Sequence, residues 1–216
     1  MVDLPGQGFT QMGARQRCGL DPMAEDLTAL CRHMGWRPAR IVGHSAGAAI
    51  ALRMWELGLR PQHGITGINA ALGKFKGVAG WLFPIMAKAL AVTPFSASVF
   101  TATSTRHSVR QLIAGTGSQI DAEGLALYYR LATDHTHVDA TLAMMAQWDL
   151  DGLLSRLPAL DAPVHLIAGD ADRAVPCDVS RVAAKRLPDA RLTLLSGLGH
   201  LAHEEDAATV AEAILK

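Results

Sequence analysis

The sequence predicts an α/β fold whose mostly parallel sheet is interrupted by a block of helices. Short β-branched apolar segments alternate with helical segments at both ends of the chain. Such alternation is typical of parallel strands joined by right-handed crossovers. Between residues 72 and 154 the strand pattern disappears, and helical segments follow one another. We therefore predict a core formed by residues 1–71 and 155–216, with a helical cap formed by residues 72–154.

Helix and strand signals alternate in the first part of the core. Asp21 followed by Pro22 predicts a helix that begins with an aspartate N-cap, and Gly35 predicts its end. The β-branched segment at 39–42 predicts a strand. The next predicted elements are a helix over Ala46–Leu57 and a strand over Gly64–Asn69.

The cap and the second part of the core contain the remaining elements. Helical spacing of apolar residues predicts cap helices at 78–91, 108–115, 122–132 and 137–147. Continuous apolar runs predict strands at 163–168 and 191–195, with helices at 179–187 and 204–215.

Bulk properties exclude several classes of function. The 216 residues include 20 basic and 20 acidic side chains, so no basic surface for nucleic acid is expected. The apolar region 78–92 is shorter than the roughly 20 residues that span a bilayer, although a helix there could lie at a membrane interface. The cysteines have no metal or redox spacing, so we predict a cytoplasmic protein without a cofactor. They are Cys18, Cys31 and Cys177.

The segment Gly43-His44-Ser45-Ala46-Gly47 matches the pattern G-x-S-x-G. This pattern is typical of a nucleophile elbow, in which the serine lies on a tight turn between a strand and a helix. We predict that Ser45 is a nucleophile and that the Ala46 N–H faces the oxyanion. The tightness of the turn should leave no room for side chains at Gly43 and Gly47. A chance match would be an ordinary turn, but the predicted strand and helix on either side favour the elbow.

A serine nucleophile needs a base, and the base needs an acid to orient it. Asp172 lies in the loop after the strand at 163–168, and His200 follows the strand at 191–195. Because the carboxyl ends of parallel strands meet at one edge of a sheet, both should lie near Ser45. Asp170, in the same loop, is interpreted as a solvated turn residue. The predicted catalytic residues are therefore Ser45, Asp172 and His200.

Most other histidines have simpler interpretations. The side chain of His44 should point away from the nucleophile, and His165 alternates within a strand and should be packed. His200, His203 and Glu204 form H-x-x-H-E, which is not a zinc-protease pattern. No metal site is predicted.

With serine, acid and histidine in this order, the chain resembles the α/β-hydrolase superfamily. The segment 3–8, Asp-Leu-Pro-Gly-Gln-Gly, is similar to the D-x-P-G-x-G turn of that superfamily, and the likeness runs from residue 2 to the C-terminus. The resemblance implies an α/β-hydrolase fold with an inserted cap. It also implies a serine hydrolase that acts on an ester or similar acyl substrate.

A closer likeness is to the magnesium chelatase accessory proteins of bacteriochlorophyll biosynthesis. Four segments carry it, and the two in the cap are the more specific because caps vary most. This resemblance implies a role in pigment synthesis, with proteins of the tetrapyrrole pathway as partners. The segments are 43–50, 113–118, 142–150 and 197–205.

The chain departs from the superfamily pattern at its N-terminus. Superfamily members begin with several more strands and a His-Gly-rich loop, so we expect a fold without the N-terminal strands. Residues 1–4 would then be a strand remnant, and the strand at 39–42 would lack one neighbour. The absent loop would remove one oxyanion donor, which costs about 10²–10³ in rate. We therefore expect a truncated product or a misassigned start, with weak or no ester turnover.

Two readings of the function remain open at the level of sequence. In the first, the chain is a hydrolase whose cap supplies an apolar roof, and Trp148 and His44 are substrate-binding candidates. In the second, it is a non-catalytic accessory protein that binds a pigment intermediate or a chelatase subunit and keeps the triad as a relic. The aromatic residues of the cap are Trp81, Phe83, Phe95, Phe100, Tyr128, Tyr129 and Trp148.

Overall fold

The computed structural model describes residues 1–73, 93 and 95–216. The described residues form two compact units. The first contains Met1–Met23, residues 95–112 and Asp121–Asp149. The second contains Ala24–Gly73, Ile113–Ile120 and Leu150–Lys216. The predicted division into a core and an inserted cap stays a prediction.

The second unit is built on a four-stranded parallel sheet. Its strands are β1 (Ile41–His44), β2 (Ile65–Ile68), β3 (Val164–Gly169) and β4 (Ala190–Leu195), and they lie side by side in chain order. The predicted α/β class with a mostly parallel sheet is confirmed. Within the described residues, β1 pairs only with β2 and forms one edge of the sheet.

Burial follows the position of each strand in the sheet. Every residue of β2 and β3 is buried, as expected for central strands that are covered on both faces. Residues of β1 and β4 are partly exposed because each lies at an edge, and Val42 is 47% exposed. One apolar cluster joins the sheet to the C-terminal helices through Ile68, Ile167 and Val210.

Two helices flank β1 in the chain. Helix α1 spans Leu20–His33, and helix α2 spans Ala46–Glu56. The N-cap prediction for Asp21 is wrong, because α1 already begins at Leu20 and the Met23 N–H bonds to the Gly19 carbonyl. Asp21 instead lies in the first turn, where a negative charge favours the helix dipole.

The C-terminal part of the second unit adds four helices between and after the strands. They are α7 (Asp151–Arg156), α8 (Cys177–Arg186), α9 (Ala202–Glu205) and α10 (Ala207–Leu215). The single helix predicted at 204–215 is therefore wrong. Asp206 interrupts it with a φ of −145°, and its carboxylate accepts the Thr209 N–H at 2.9 Å. This is an N-cap, so a new helix begins there.

The described helices of the first unit include α3 (Ser96–Thr103), α5 (Ala122–Ala132) and α6 (His135–Gln147). Helix α4 (Arg106–Gly115) begins in the first unit and ends in the second. The helices predicted at 108–115, 122–132 and 137–147 are thus confirmed. The helix predicted at 78–91 lies outside the described residues, as does the interfacial role suggested for 78–92.

The prediction of a strand remnant at 1–4 is wrong. These residues have no strand partner within the described chain, and Asp3 caps a turn instead. Its carboxylate accepts the Phe9 N–H at 3.0 Å, and its carbonyl accepts the Thr10 hydroxyl at 2.9 Å. The D-x-P-G-x-G segment is a turn with positive φ at Gly6 and Gly8, of 78° and 53°.

No helix within the described part of the chain is both long enough and apolar enough to cross a membrane.

Candidate active site

Ser45 lies on a strained turn between β1 and α2. Its φ of 52° is in the left-handed region that residues with a side chain rarely adopt. Backbone hydrogen bonds hold this conformation: the Ser45 N–H donates to the Ile68 carbonyl at 2.9 Å, and the Ser45 carbonyl accepts the Ala71 N–H at 3.0 Å. The turn is therefore anchored by the last residue of β2 and by the segment that follows it.

The two glycines of the elbow have different roles. A Cβ at Gly43 would clash with the main chain of Gly47, so position 43 requires glycine. A Cβ at Gly47 would meet no heavy atom within 4 Å in the described part of the structure. The expectation that both positions exclude a side chain thus holds for Gly43 but not for Gly47.

A chain of hydrogen bonds joins three side chains that are far apart in sequence. The Ser45 Oγ lies 3.1 Å from His200 Nε2, and His200 Nδ1 lies 2.8 Å from Asp172 Oδ2. A carboxylate can only accept, so Nδ1 donates to Asp172, and the neutral ring leaves Nε2 free to accept the serine proton. The side chain of Asp172 is fully buried, and that of His200 is 12% exposed. The structure thus brings together the three residues that the sequence singled out.

The second oxygen of Asp172 is used within its own loop. Asp172 Oδ1 accepts the N–H groups of Ala174 and Val175, each at 2.8 Å. Asp170 is exposed and accepts the Gly197 N–H at 2.7 Å, so it ties the end of β3 to the turn after β4. Both carboxylates are therefore fixed in orientation, but only Asp172 contacts His200 within the described residues.

His44 packs beside His200. Its Nε2 lies 2.8 Å from the His200 carbonyl, so this nitrogen carries a proton and donates. Its ring centroid lies 4.8 Å from that of His200 and 4.4 Å from that of His203. Burial, followed by the neighbouring His203 and His200, lowers the pKa of His44 to about 3. His44 is therefore neutral near pH 7, and its part in substrate binding stays a prediction.

Asn69, which the sequence reasoning missed, joins three segments around the triad. It follows β2 directly and is 1% exposed. Its Nδ2 donates to the carbonyls of Gly199 and His200, both at 2.7 Å, and its Oδ1 accepts the Gly169 N–H at 2.8 Å. The rule that placed Asp172 and His200 at strand ends could have found it, since it lies at the end of a neighbouring strand.

The segment Ile113–Ile120 lies in the same compact unit as the triad. The Ser118 hydroxyl accepts the Leu201 N–H at 2.8 Å, next to His200. Gly117 has a φ of 87°, and a Cβ there would clash with the Ala171 carbonyl, next to Asp172. Glycine and serine at these positions allow the segment to approach both loops closely.

The remaining predicted site residues have defined positions. Ala46 is the first residue of α2, where an N–H has no acceptor within the helix and can serve an oxyanion. Trp148 ends α6 in the first unit and is half-buried. Phe95 and Phe100 are exposed, and Tyr128 and Tyr129 are half-buried. Trp81 and Phe83 lie outside the described residues.

His165 is a buried histidine that lies outside the triad. His165 is buried in β3 and lies 2.9 Å from the Thr193 hydroxyl through Nε2. Burial, with lesser contributions from Arg191 and Arg40, lowers its pKa to about 4. Among the described residues, no group of three His, Cys, Asp or Glu side chains is arranged to hold a metal ion.

Comparison with known proteins shows the family of the chain. A family model described as alpha/beta hydrolase fold matches residues 1–207. The chain belongs to the α/β-hydrolase fold family. It is also 50% identical over 215 residues to the magnesium-chelatase 30 kDa subunit of Rhodobacter capsulatus, covering 99% of this chain and 74% of that protein.

Solved structures of α/β-hydrolase proteins share the fold. The epoxide hydrolase CorEH without ligand superposes with a TM-score of 0.79 at 16% identity, over 99% of this chain and 78% of that one. The esterase EaEST from Exiguobacterium antarcticum superposes with a TM-score of 0.77 at 17% identity, with the same coverage. At these identities the likeness concerns the fold alone.

Proposed function

We propose that the chain is a serine hydrolase that acts on an ester or similar acyl substrate. The observation that carries the proposal is the hydrogen-bonded chain from Ser45 Oγ through His200 to the buried carboxylate of Asp172. This arrangement supplies a nucleophile, a base at the right tautomer and an acid that orients the base. The position of Ser45 between β1 and the N-terminus of α2 is the one that the elbow motif requires.

In the acylation step, Ser45 Oγ attacks the carbonyl carbon of the substrate while His200 Nε2 takes the hydroxyl proton. The carbonyl oxygen becomes an oxyanion, and the Ala46 N–H stabilises it. The tetrahedral intermediate collapses as the bond to the leaving alcohol breaks, and His200 gives its proton to that oxygen. Asp172 stabilises the imidazolium throughout without taking the proton.

Deacylation repeats the sequence with water. His200 Nε2 takes a proton from a water molecule whose oxygen attacks the acyl carbon. The second tetrahedral intermediate collapses when the bond to Ser45 Oγ breaks, and His200 returns the proton to the serine. The products are the carboxylic acid and the free enzyme.

We further propose that this chemistry serves bacteriochlorophyll biosynthesis. The 50% identity to a magnesium-chelatase subunit supports an accessory role beside the chelatase. A tetrapyrrole ester would suit a largely apolar acyl site, and proteins of the tetrapyrrole pathway are the proposed partners. In this proposal residues 72–154 act as the cap, and Trp148 is the candidate substrate contact.

The second candidate function is a non-catalytic accessory protein. The observation that favours it is the name of the 50% identical relative, which describes a chelatase subunit and not a hydrolase. Such a protein would bind a pigment intermediate or a chelatase subunit and would keep the triad without using it.

Hydrolysis of p-nitrophenyl butyrate and of protoporphyrin IX dimethyl ester separates the two candidates. We expect ester cleavage by the unaltered chain, even if it is slow, and none by Ser45→Ala. Ser155→Ala is the matched control, because Ser155 is an exposed serine on α7. Equal binding of the porphyrin by the unaltered chain and Ser45→Ala, with no hydrolysis of either ester, would favour the accessory protein.

A further inference from the structure

The backbone conformation and the burial of Asn69 both destabilise the fold unless its side chain makes compensating hydrogen bonds. Its φ is 44°, in the left-handed region, and its side chain is buried. A buried amide must also find partners for its donor and acceptor groups, because each one left unpaired is destabilising. Asn69 satisfies them at three places around the triad and nowhere else within the described residues.

The donors of Asn69 hold the backbone that carries His200. Its Nδ2 donates to the carbonyls of Gly199 and His200, both at 2.7 Å. The His200 carbonyl also accepts from His44 Nε2 at 2.8 Å. The side chains of Asn69 and His44, which lie at the ends of neighbouring strands, therefore both bond to the backbone carbonyl of His200.

The acceptor of Asn69 reaches towards the loop of Asp172. Its Oδ1 accepts the N–H of Gly169, the last residue of β3. That residue is three positions before Asp172, and its carbonyl accepts the Asp172 N–H at 3.4 Å. One amide thus connects the backbone supports of the base and of the acid.

The segment around Asn69 also supports the nucleophile. The residue before it, Ile68, accepts the Ser45 N–H at 2.9 Å, and Ala71 donates to the Ser45 carbonyl at 3.0 Å. The backbone of Ser45 and the backbone of His200 are therefore both bonded to the short segment 68–71. The separation between Ser45 Oγ and His200 Nε2 depends on this shared support.

We propose that Asn69 is a positioning residue that holds the His200 imidazole within hydrogen-bonding distance of the Ser45 hydroxyl. It touches no reacting atom and acts through the His200 peptide. This inference rests on the proposed hydrolase function only for its kinetic consequence, because the geometry it describes exists whether or not the chain turns over substrate.

Asn69→Gly is the cleanest test of this role. Glycine adopts the positive φ of this position readily, so the backbone is not strained while all three side-chain hydrogen bonds are removed. Asn69→Asp is the second variant, because it keeps the acceptor for Gly169 but places an oxygen against the two carbonyls. Thr66→Val is the control: Thr66 is a fully buried residue of β2 that contacts Arg40 and not the triad.

We expect the maximal rate of labelling by a fluorophosphonate, and kcat where turnover is measurable, to fall by about 10- to 100-fold in both Asn69 variants. KM should change by less than about twofold, because no substrate contact is lost. Thr66→Val should retain the rates of the unaltered chain. Equal rates in Asn69→Gly and Thr66→Val would overturn the proposal.

A measurement that needs no turnover distinguishes failure of this inference from failure of the proposed function. The proton on His200 Nδ1, bonded to Asp172, should give a downfield proton resonance in the unaltered chain and in Thr66→Val. We expect its loss or broadening in Asn69→Gly. If the fluorophosphonate does not label the unaltered chain, but the resonance is present there and lost in Asn69→Gly, only the hydrolase proposal is contradicted. An unchanged resonance in Asn69→Gly contradicts the positioning role alone.

Discussion

His200 Nδ1 lies 2.8 Å from one oxygen of Asp172, while the other oxygen of that carboxylate accepts two backbone N–H groups of its own loop. The carboxylate therefore cannot rotate without breaking loop hydrogen bonds. This fixes which imidazole nitrogen carries the proton, and hence which one faces Ser45. In the proposed mechanism, Asp172 orients the base as well as stabilising its charged form.

Asp172→Asn should lower kcat by about 10⁴-fold with little effect on the fold. An amide NH₂ group facing His200 would favour the tautomer whose Nε2 is already protonated and cannot accept from Ser45. Steady-state hydrolysis of p-nitrophenyl butyrate measures the effect. Asp170→Asn is the control, since Asp170 lies in the same loop and bonds to Gly197 instead. A similar loss in both variants would mean that the loop, and not the tautomer, is responsible.

Gly43→Ala should destabilise the protein by about 2–4 kcal/mol, because the new Cβ would overlap the main chain of Gly47 at the elbow. Gly47→Ala should be tolerated, and it could stabilise α2 by about 0.4–1 kcal/mol through a lower entropy of the unfolded chain. Urea unfolding measures both changes. Equal destabilisation by the two substitutions would contradict the asymmetry that the structure shows.

Ser118→Ala should cost about 1–3 kcal/mol in unfolding free energy, because it leaves the buried Leu201 N–H without its acceptor. The same change should slow labelling of Ser45, since Leu201 follows His200 directly. Ser180→Ala, at an equally buried serine on α8, should leave the labelling rate unchanged. An unaltered rate in Ser118→Ala would show that the segment 113–120 does not support the triad.

Acid should destabilise the protein partly through His44. Its pKa falls from the ordinary value of 6.5 to about 3 in the folded chain, so between these values the unfolded state binds a proton that the folded state does not. The contribution to stability is fully present above pH 6.5 and is lost as the pH falls towards 3. Its slope approaches about 1.4 kcal/mol per pH unit within that window.

His44→Gln tests this assignment, because an amide N–H can replace the donor to the His200 carbonyl but does not titrate. Unfolding free energies measured between pH 7 and pH 4.5 should depend less steeply on pH in this variant. The number of protons taken up on unfolding should be smaller by up to one. The unaltered slope in His44→Gln would assign the acid sensitivity to other groups, such as His165, whose pKa is also lowered.

The hydrogen-bonded arrangement of Ser45, His200 and Asp172 and the sheet could be predicted from sequence because both follow from local patterns. Ser45 lies in a five-residue motif between a strand and a helix, and Asp172 and His200 directly follow strands. The parallel order of the strands then brings all three to one edge of the sheet. No long-range information beyond this rule was needed.

Features that depend on tertiary contacts could not be predicted in the same way. The strand-end rule could have singled out the position of Asn69, but not its role, because its partners are carbonyls and an N–H that are distant in sequence. Ser118 and Gly117 lie in a stretch of helices that suggested the cap, yet they support the loops of the triad. Asp206 differs from these, because its bond to the Thr209 N–H is local, and the sequence rule for an aspartate N-cap could have found it.

The proposed function requires that Ser45 is a nucleophile activated by His200. The most direct measurement is intact-mass analysis and peptide mapping after treatment with a fluorophosphonate. We expect one adduct per chain on the peptide that contains Ser45, normal labelling of Ser155→Ala, and no adduct on Ser45→Ala or His200→Ala. The absence of an adduct on the folded, unaltered chain, or an adduct that persists in Ser45→Ala, would show that Ser45 is not the nucleophile.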